Sequence, residues 1–270
     1  VTGKDLDLVV KENIRGEEGT YVDITVLRGE NAEETPLHVE RRSIEVPTVE
    51  YQMLENQVGY IYVTQFDEVT AKQFEDAIDD LEDQGMEKLV IDLRNNPGGV
   101  LDTAVEMLAY VLPEDKLDGM LVYTADKNGE GDRYFCKDGK IQRESDDGSR
   151  DSRYPKEDDH ELDVPLAVLV NGNSASASEV FTGAVMDYDA GIVVGTTTFG
   201  KGIVQNLIPL GDGTAIKLTT AHYYTPNGFD LHGKGLEPDV VVEMDEELQK
   251  KAVVELSEDN QLQAAIEAMN

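Results

Sequence analysis

Residues 165–210 read PLAVLVNGNSASASEVFTGAVMDYDAGIVVGTTTFGKGIVQNLIPL, and this stretch decides the fold. Leu166 to Val170 form an unbroken apolar run, the pattern of a strand buried on both faces of a parallel sheet. Asn171-Gly172-Asn173 ends the run with turn formers. Val180, Ala184, Val185 and Tyr188 then recur at helical spacing, and Ile192 to Val194 start a second strand. A helix that opens in serines after a strand and a polar turn is a common mount for a nucleophile. The turn exposes a hydroxyl, and unpaired N–H groups at the helix start can receive developing negative charge. The G-x-S-x-G elbow is absent. On the far side of the unit a lone lysine, Lys201, lies between two glycines in Phe199-Gly200-Lys201-Gly202, which suggests a Ser-Lys pair.

Upstream, the same logic gives a buried strand over Val58–Val63. An amphipathic helix follows, carrying Val69, Phe74, Ala77, Ile78 and Leu81 and ending near Gly85. Lys88–Leu93 is a second buried strand, followed by Arg94-Asn95-Asn96-Pro97-Gly98-Gly99 and a helix over residues 100–112. Paired glycines at a strand-to-helix junction let backbone amides approach a bound group; taken alone, an ordinary turn explains them as well. Asp92 and Arg94 read as a structural ion pair. Downstream, residues 204–210 and 215–220 flank Gly211-Asp212-Gly213 as a hairpin, with Thr219, Thr220 and Tyr223 as candidate cleft residues. His222 and His232 fit no metal or triad motif and read as core or loop groups.

The chain has 270 residues, enough for one main domain and a smaller one. Its 23 basic and 56 acidic residues give a net charge of −33, which disfavours nucleic acid and anionic membranes as partners. The single cysteine, Cys136, excludes an internal disulfide and a thiolate zinc cluster; it reads as an apolar strand residue. No apolar run reaches membrane-spanning length, and no signal-peptide pattern is present. No cofactor or metal site is expected.

Three further segments complete the outline. Residues 1–46 form a first unit: a helix through Leu6, Leu8, Val9 and Val10, then a hairpin of residues 21–27 and 37–41. The region around 126–163, glycine-rich and acidic, reads as a long exposed loop. Residues 244–270 are helical in pattern, with Leu248, Val253, Leu256, Leu262 and Ile266 as buried positions. The tail either covers the domain or joins a partner subunit.

Six motifs in order, YIYVTQF, LVIDLRNNPGG, NGNSASASE, TFGKGIVQ, LTTAHYYTPNG and HGKGLEPD, resemble the carboxy-terminal processing (tail-specific) proteases of peptidase family S41. The resemblance covers most of residues 58–241. It implies a serine endopeptidase in which Ser176 is the nucleophile and Lys201, 25 residues on, the general base, with Gln205 orienting the lysine. It further implies an oxyanion hole made by the amides of Gly98 or Gly99 and of Ala177. The words IRGEEGTYVDITVLR resemble the C-terminal half of a PDZ domain, so residues 1–46 are expected to be part of a PDZ-like peptide-binding domain. The half with the carboxylate-binding loop is not in this sequence, which is therefore expected to be a fragment.

The expected architecture is α/β: a ClpP/crotonase-like protease domain over residues 47–243 behind a truncated PDZ-like α+β segment. Hydrolysis would run through an acyl-enzyme, with Lys201 neutral when it takes the Ser176 proton. Residues 195–209 contain no acidic side chain, which fits a lysine kept away from carboxylates. Expected substrates are extended polypeptides, apolar or small near the scissile bond, with a homo-oligomer open and an extracytoplasmic location implied by the family. The alternatives are a non-catalytic PDZ-type binding protein and a crotonase-type thioester enzyme.

Overall fold

The computed structural model describes residues 3, 5–29, 32–112, 119–137, 140–155, 162–251 and 253–270. Two compact units divide at Val46/Pro47. In the first, helix α1 (Leu6–Val9), capped by Asp5, continues as a wider turn over Val10–Ile14. Strands β1 (Tyr21–Arg28) and β2 (Glu33–Glu40) pair antiparallel, with Tyr21 opposite Glu40. Arg41 fastens helix to hairpin. Its Nε donates to Ile14 O at 2.7 Å and its Nη1 to Thr20 Oγ1 and Tyr21 O.

The second unit carries β3 (Val49–Met53), β4 (Val58–Val63), α2 (Thr70–Asp83), β5 (Lys88–Asp92) and α3 (Leu101–Val111). Strands β6 (Met120–Ala125), β7 (Asp132–Lys137), β8 (Lys140–Ser145) and β9 (Arg150–Pro155) follow. The serine-to-lysine segment is β10 (Leu166–Val170), α4 (Ala177–Asp187) and β11 (Ile192–Gly195). Last come β12 (Ile203–Pro209), β13 (Ala215–Tyr224), β14 (Val240–Val241), α5 (Glu246–Gln249) and α6 (Asn260–Ala268).

One six-stranded sheet has the order β14-β11-β10-β5-β4-β3, parallel except for the antiparallel edge strand β3. Both faces are covered, which is why its central strands are largely apolar. Leu89, Ile91, Leu166, Val168 and Val170 pack on one side with Phe74, Leu108 and Phe181 from α2, α3 and α4. Val90, Ala167, Leu169 and Val194 pack on the other against Leu262, Ala265 and Met269 of the C-terminal segment.

The second six-stranded sheet, β12-β13-β6-β7-β8-β9, is antiparallel throughout. Its existence corrects the expected ClpP/crotonase-like architecture: the parallel sheet shares the unit with an antiparallel sheet in which β7, β8 and β9 come from residues expected to be loop. Polar strands persist there because their charges are matched. Arg143 pairs with Asp132 and Arg133 with Asp146, each at 2.6 Å, while Tyr134 and Cys136 bury inward. Residues 156–161 of the acidic run lie outside the described residues. The tail also departs from expectation: Asp259 accepts Gln261 N–H and Leu262 N–H as a helix cap, so α6 starts afresh there.

Candidate active site

Because β5, β10 and β11 are adjacent parallel strands, the loops leaving their C-terminal ends lie side by side, where open α/β sheets place their sites. These loops are residues 93–100, 171–176 and 196–202. Two buried polar side chains lace them together.

Asn96, fully buried, joins the glycine loop to the serine turn. Its Nδ2 donates to Val63 O at 2.8 Å, and its Oδ1 accepts Gly98 N–H at 2.9 Å. Its carbonyl accepts both Ala175 N–H and Ser178 Oγ–H at 3.0 Å. Outside this hub, Asn171 and Asn173 donate side-chain N–H groups to Asn95 Oδ1. A side chain could not replace the Gly98 hydrogen: a Cβ there would lie 2.5 Å from Ala175 O and 2.8 Å from Ser176 Cβ, at φ +95°.

Glu179, also fully buried, joins the serine turn to the lysine loop. Oε1 accepts Thr198 Oγ1–H at 2.6 Å and Gly200 N–H at 2.7 Å; Oε2 accepts Ser176 N–H at 3.0 Å and Lys201 N–H at 2.8 Å. The expectation of a carboxylate-free surrounding for Lys201 therefore holds along the sequence but not in space. The carboxylate is directed at backbone amides. Lys201 Nζ has no hydrogen bond or ion pair among the described residues.

The three serines of SASAS divide cleanly. Ser174 and Ser178 are buried, and their hydroxyls donate to Leu93 O at 2.8 Å and Asn96 O at 3.0 Å. Ser176 is half-buried at the start of α4 with φ 57° and ψ −115°, a conformation that costs about 1–3 kcal/mol in a non-glycine residue. Ser174→Ala and Ser178→Ala should each lose about 1 kcal/mol of stability in urea unfolding. Cleavage per folded molecule should stay within a few-fold of wild type. A loss as complete as that expected for Ser176→Ala would reassign the nucleophile.

Of the other expected site residues, the backbone N–H groups of Ala177 and Gly99 find no acceptor among the described residues, whereas Gly98 N–H is spent on Asn96. Gln205 is exposed on β12, with Nε2 at 3.4 Å from Thr219 Oγ1, and no hydrogen bond links it to Lys201. None links Ser176 Oγ to Lys201 Nζ. His222 and His232 meet edge-on at 4.9 Å, with His222 Nδ1 3.5 Å from Asp230 Oδ2. Burial works against ionised Asp230, but the His232 N–H and His222 outweigh it and hold its pKa below the usual range. No cluster of metal-ligating side chains occurs among the described residues.

Asn96 and Glu179 were missed in the sequence. Glu179 carried a signal, since Ser176-x-x-Glu179 has the capping-box spacing. Asn96 carried none beyond its place in a turn. A cavity of about 690 Å3 lies on the α6 side, lined by Tyr60, Arg94, Asn171 and Leu256 among others, and neither Ser176 nor Lys201 borders it.

The sequence profile of peptidase family S41 matches residues 57–242. The chain is 39% identical over 243 residues to a probable CtpA-like serine protease of Staphylococcus aureus, covering 90% of this chain and 44% of that protein. A protein of the same description from Staphylococcus haemolyticus is 39% identical over 242 residues, with the same coverages. The chain thus spans less than half the length of these relatives. Among solved structures, the photosystem II D1 C-terminal processing protease superposes with a TM-score of 0.57 at 29% identity, over 84% of this chain and 57% of that one. A Bacteroides fragilis protein of the S41 class superposes at 0.64 and 17% identity, over 92% and 66%, a likeness of fold alone. The ClpP/crotonase-like assignment is overturned by these matches, whose fold is that of the processing proteases. With the profile covering more than half of it, the chain belongs to peptidase family S41.

Proposed function

We propose that the chain carries the catalytic machinery of a serine endopeptidase that cuts extended or C-terminal regions of protein substrates with a Ser-Lys dyad. One observation carries the reading: of three neighbouring serines, Ser176 alone does not donate its hydroxyl to a buried backbone carbonyl, and it sits on a strained turn at a helix start. Lys201 in its neutral form takes the proton from Ser176 Oγ as the oxygen attacks the scissile carbonyl carbon. The resulting oxyanion is received by Ala177 N–H and Gly99 N–H. The choice of Gly99 rests on its unspent amide and on the Gly98 carbonyl, which accepts Phe66 N–H at 3.0 Å. In a trans peptide the next N–H points the opposite way. Collapse expels the amine, which takes the proton from Lys201, and leaves an acyl-enzyme. Water then attacks the ester with Lys201 again as base. Gln205 orients the lysine, and the ladder irregularity between Val204 and Gln205 is where β12 can re-aim that side chain.

The rest of the assignment leans on the relatives. Residues 1–46 serve as part of a PDZ-like peptide-binding domain, residues 47–243 as the catalytic domain and 244–270 as its covering tail. The location is extracytoplasmic, as in the family. No described helix is long and apolar enough to cross a membrane.

Lys201→Arg tests the chemistry. A guanidinium stays protonated and cannot act as base, so turnover of an unfolded reporter protein should fall at least a thousandfold while the thermal transition is retained. Wild-type turnover by the arginine variant would overturn the dyad. A strict requirement for Lys or Arg at the cleavage position, measured on a peptide library, would overturn the substrate reading.

A further inference from the structure

We propose that Glu179 is the positioning residue of the dyad, its carboxylate setting the spacing between the nucleophile's turn and the lysine's turn. The inference rests on the roles given above to Ser176 and Lys201.

Glu179 lies on the first turn of α4 among Ala177, Ser178, Val180 and Phe181, all buried. An apolar side chain would pack there without the cost of desolvating a carboxylate. What the carboxylate adds is four acceptor positions, and all four are filled by donors from the two turns. Only one of those donors, Ser176 N–H, belongs to its own helix end. The other three, Thr198 Oγ1–H, Gly200 N–H and Lys201 N–H, come from the lysine loop. That loop is braced from behind in turn: Thr198 Oγ1 accepts Leu236 N–H at 2.8 Å, and Thr198 N–H donates to Leu236 O at 3.0 Å. The strained Ser176 peptide and the Lys201 peptide share a single oxygen, Oε2, so neither turn can shift without disturbing the other's anchor.

Glutamine cannot reproduce this arrangement. It has one acceptor oxygen, and in either orientation its NH2 faces two donors. Glu179→Gln should therefore part the turns even though the side chain keeps its volume. With an unfolded reporter protein, assayed below each variant's thermal transition, kcat should fall at least a hundredfold with KM within threefold. A residue needed only for folding would change the transition temperature and leave the kcat of the folded protein intact.

Thr198→Val removes one of the four donors and should lower kcat about tenfold. Thr198→Ser keeps the hydroxyl and should restore it. These two variants decide the matter if Glu179→Gln does not fold. Folded Glu179→Gln protein with kcat within threefold of wild type would overturn the proposal, as would Thr198→Ser no better than Thr198→Val. Ser176→Ala is measured alongside. Turnover by that variant would remove the reading of the site itself. An inactive Ser176→Ala protein beside a fully active Glu179→Gln protein would remove the positioning role alone.

Discussion

Ser176→Ala should abolish peptide-bond cleavage and leave the fold in place: turnover of an unfolded reporter is expected to drop by a factor on the order of 10^4 or more. The substitution deletes one oxygen from a half-buried turn. The bond that ties this turn to the lysine loop runs from the backbone N–H of residue 176 to Glu179, so alanine retains it. Loss of a serine at a helix start costs about 1 kcal/mol, too little to unfold a domain of this size. Stability and activity are thereby separated at this position, in contrast to Ser174 and Ser178, whose hydroxyls are spent inside the fold. Circular dichroism and a melting curve on the same preparation check the first half. Cleavage assays freed of contaminating protease check the second, and undiminished turnover would end the serine-protease reading.

Arg94→Ala should cost about 3–5 kcal/mol of stability, because it strands two buried carboxylates, Asp92 and Asp259, without their counter-charge. Arg94 Nε donates to Asp92 Oδ1 at 2.9 Å, and Nη2 reaches Asp92 Oδ2 at 2.5 Å and Asp259 Oδ2 at 2.7 Å. Nη1 adds Asp259 Oδ1 and Gln261 Oε1, and Tyr60 Oη donates to Asp92 Oδ2 at 2.7 Å. Burial alone would lower the guanidinium's pKa; the hydrogen bonds and charges of Asp92 and Asp259 more than reverse it. For a unit of this size the loss corresponds to a fall in Tm of roughly 6–20 °C. Replacing the whole cluster at once, Arg94→Met with Asp92→Asn and Asp259→Asn, should recover part of it, since no charge is then buried unpaired. A melting point within 2 °C of wild type for Arg94→Ala would show that the network contributes little.

How far the sequence could be read depended on whether a residue's job is local. Leu166–Val170 and the Leu89–Ile91 centre of β5 announce themselves because burial on both faces favours apolar residues at successive positions. Gly98 is legible for the same kind of reason: φ +95° and a neighbour at 2.5 Å leave no room for a Cβ. A Ser-Lys pair was suggested by the pattern of the two turns, but the choice of Ser176 among three serines came from the motif resemblance, since nothing in the 24 residues between Ser176 and Lys201 states which hydroxyl faces the lysine turn. Glu179 acts on residues 19–22 positions away, and apart from the Thr198 hydroxyl its partners there are backbone amides, which carry no sequence signature. Strands β7 to β9 were hidden by their charges. Arg133, Arg143, Asp132 and Asp146 look like loop residues until they are seen paired across the meander.

The winding of the parallel sheet has a consequence for how the chain is made. From β3 to β14 the strand order follows the sequence without reversal, and α2, α3 and α4 all serve one face. The opposite face, with Val58, Tyr60, Val90, Ala167, Leu169 and Val194, waits for Leu262, Ala265 and Met269. On a ribosome adding 5–20 residues per second, every strand of that sheet emerges while this face is still bare. Closure of the second core thus has to follow the emergence of every strand it covers. A nascent chain stalled before Asn260 presents a wide apolar surface to chaperones and to its neighbours.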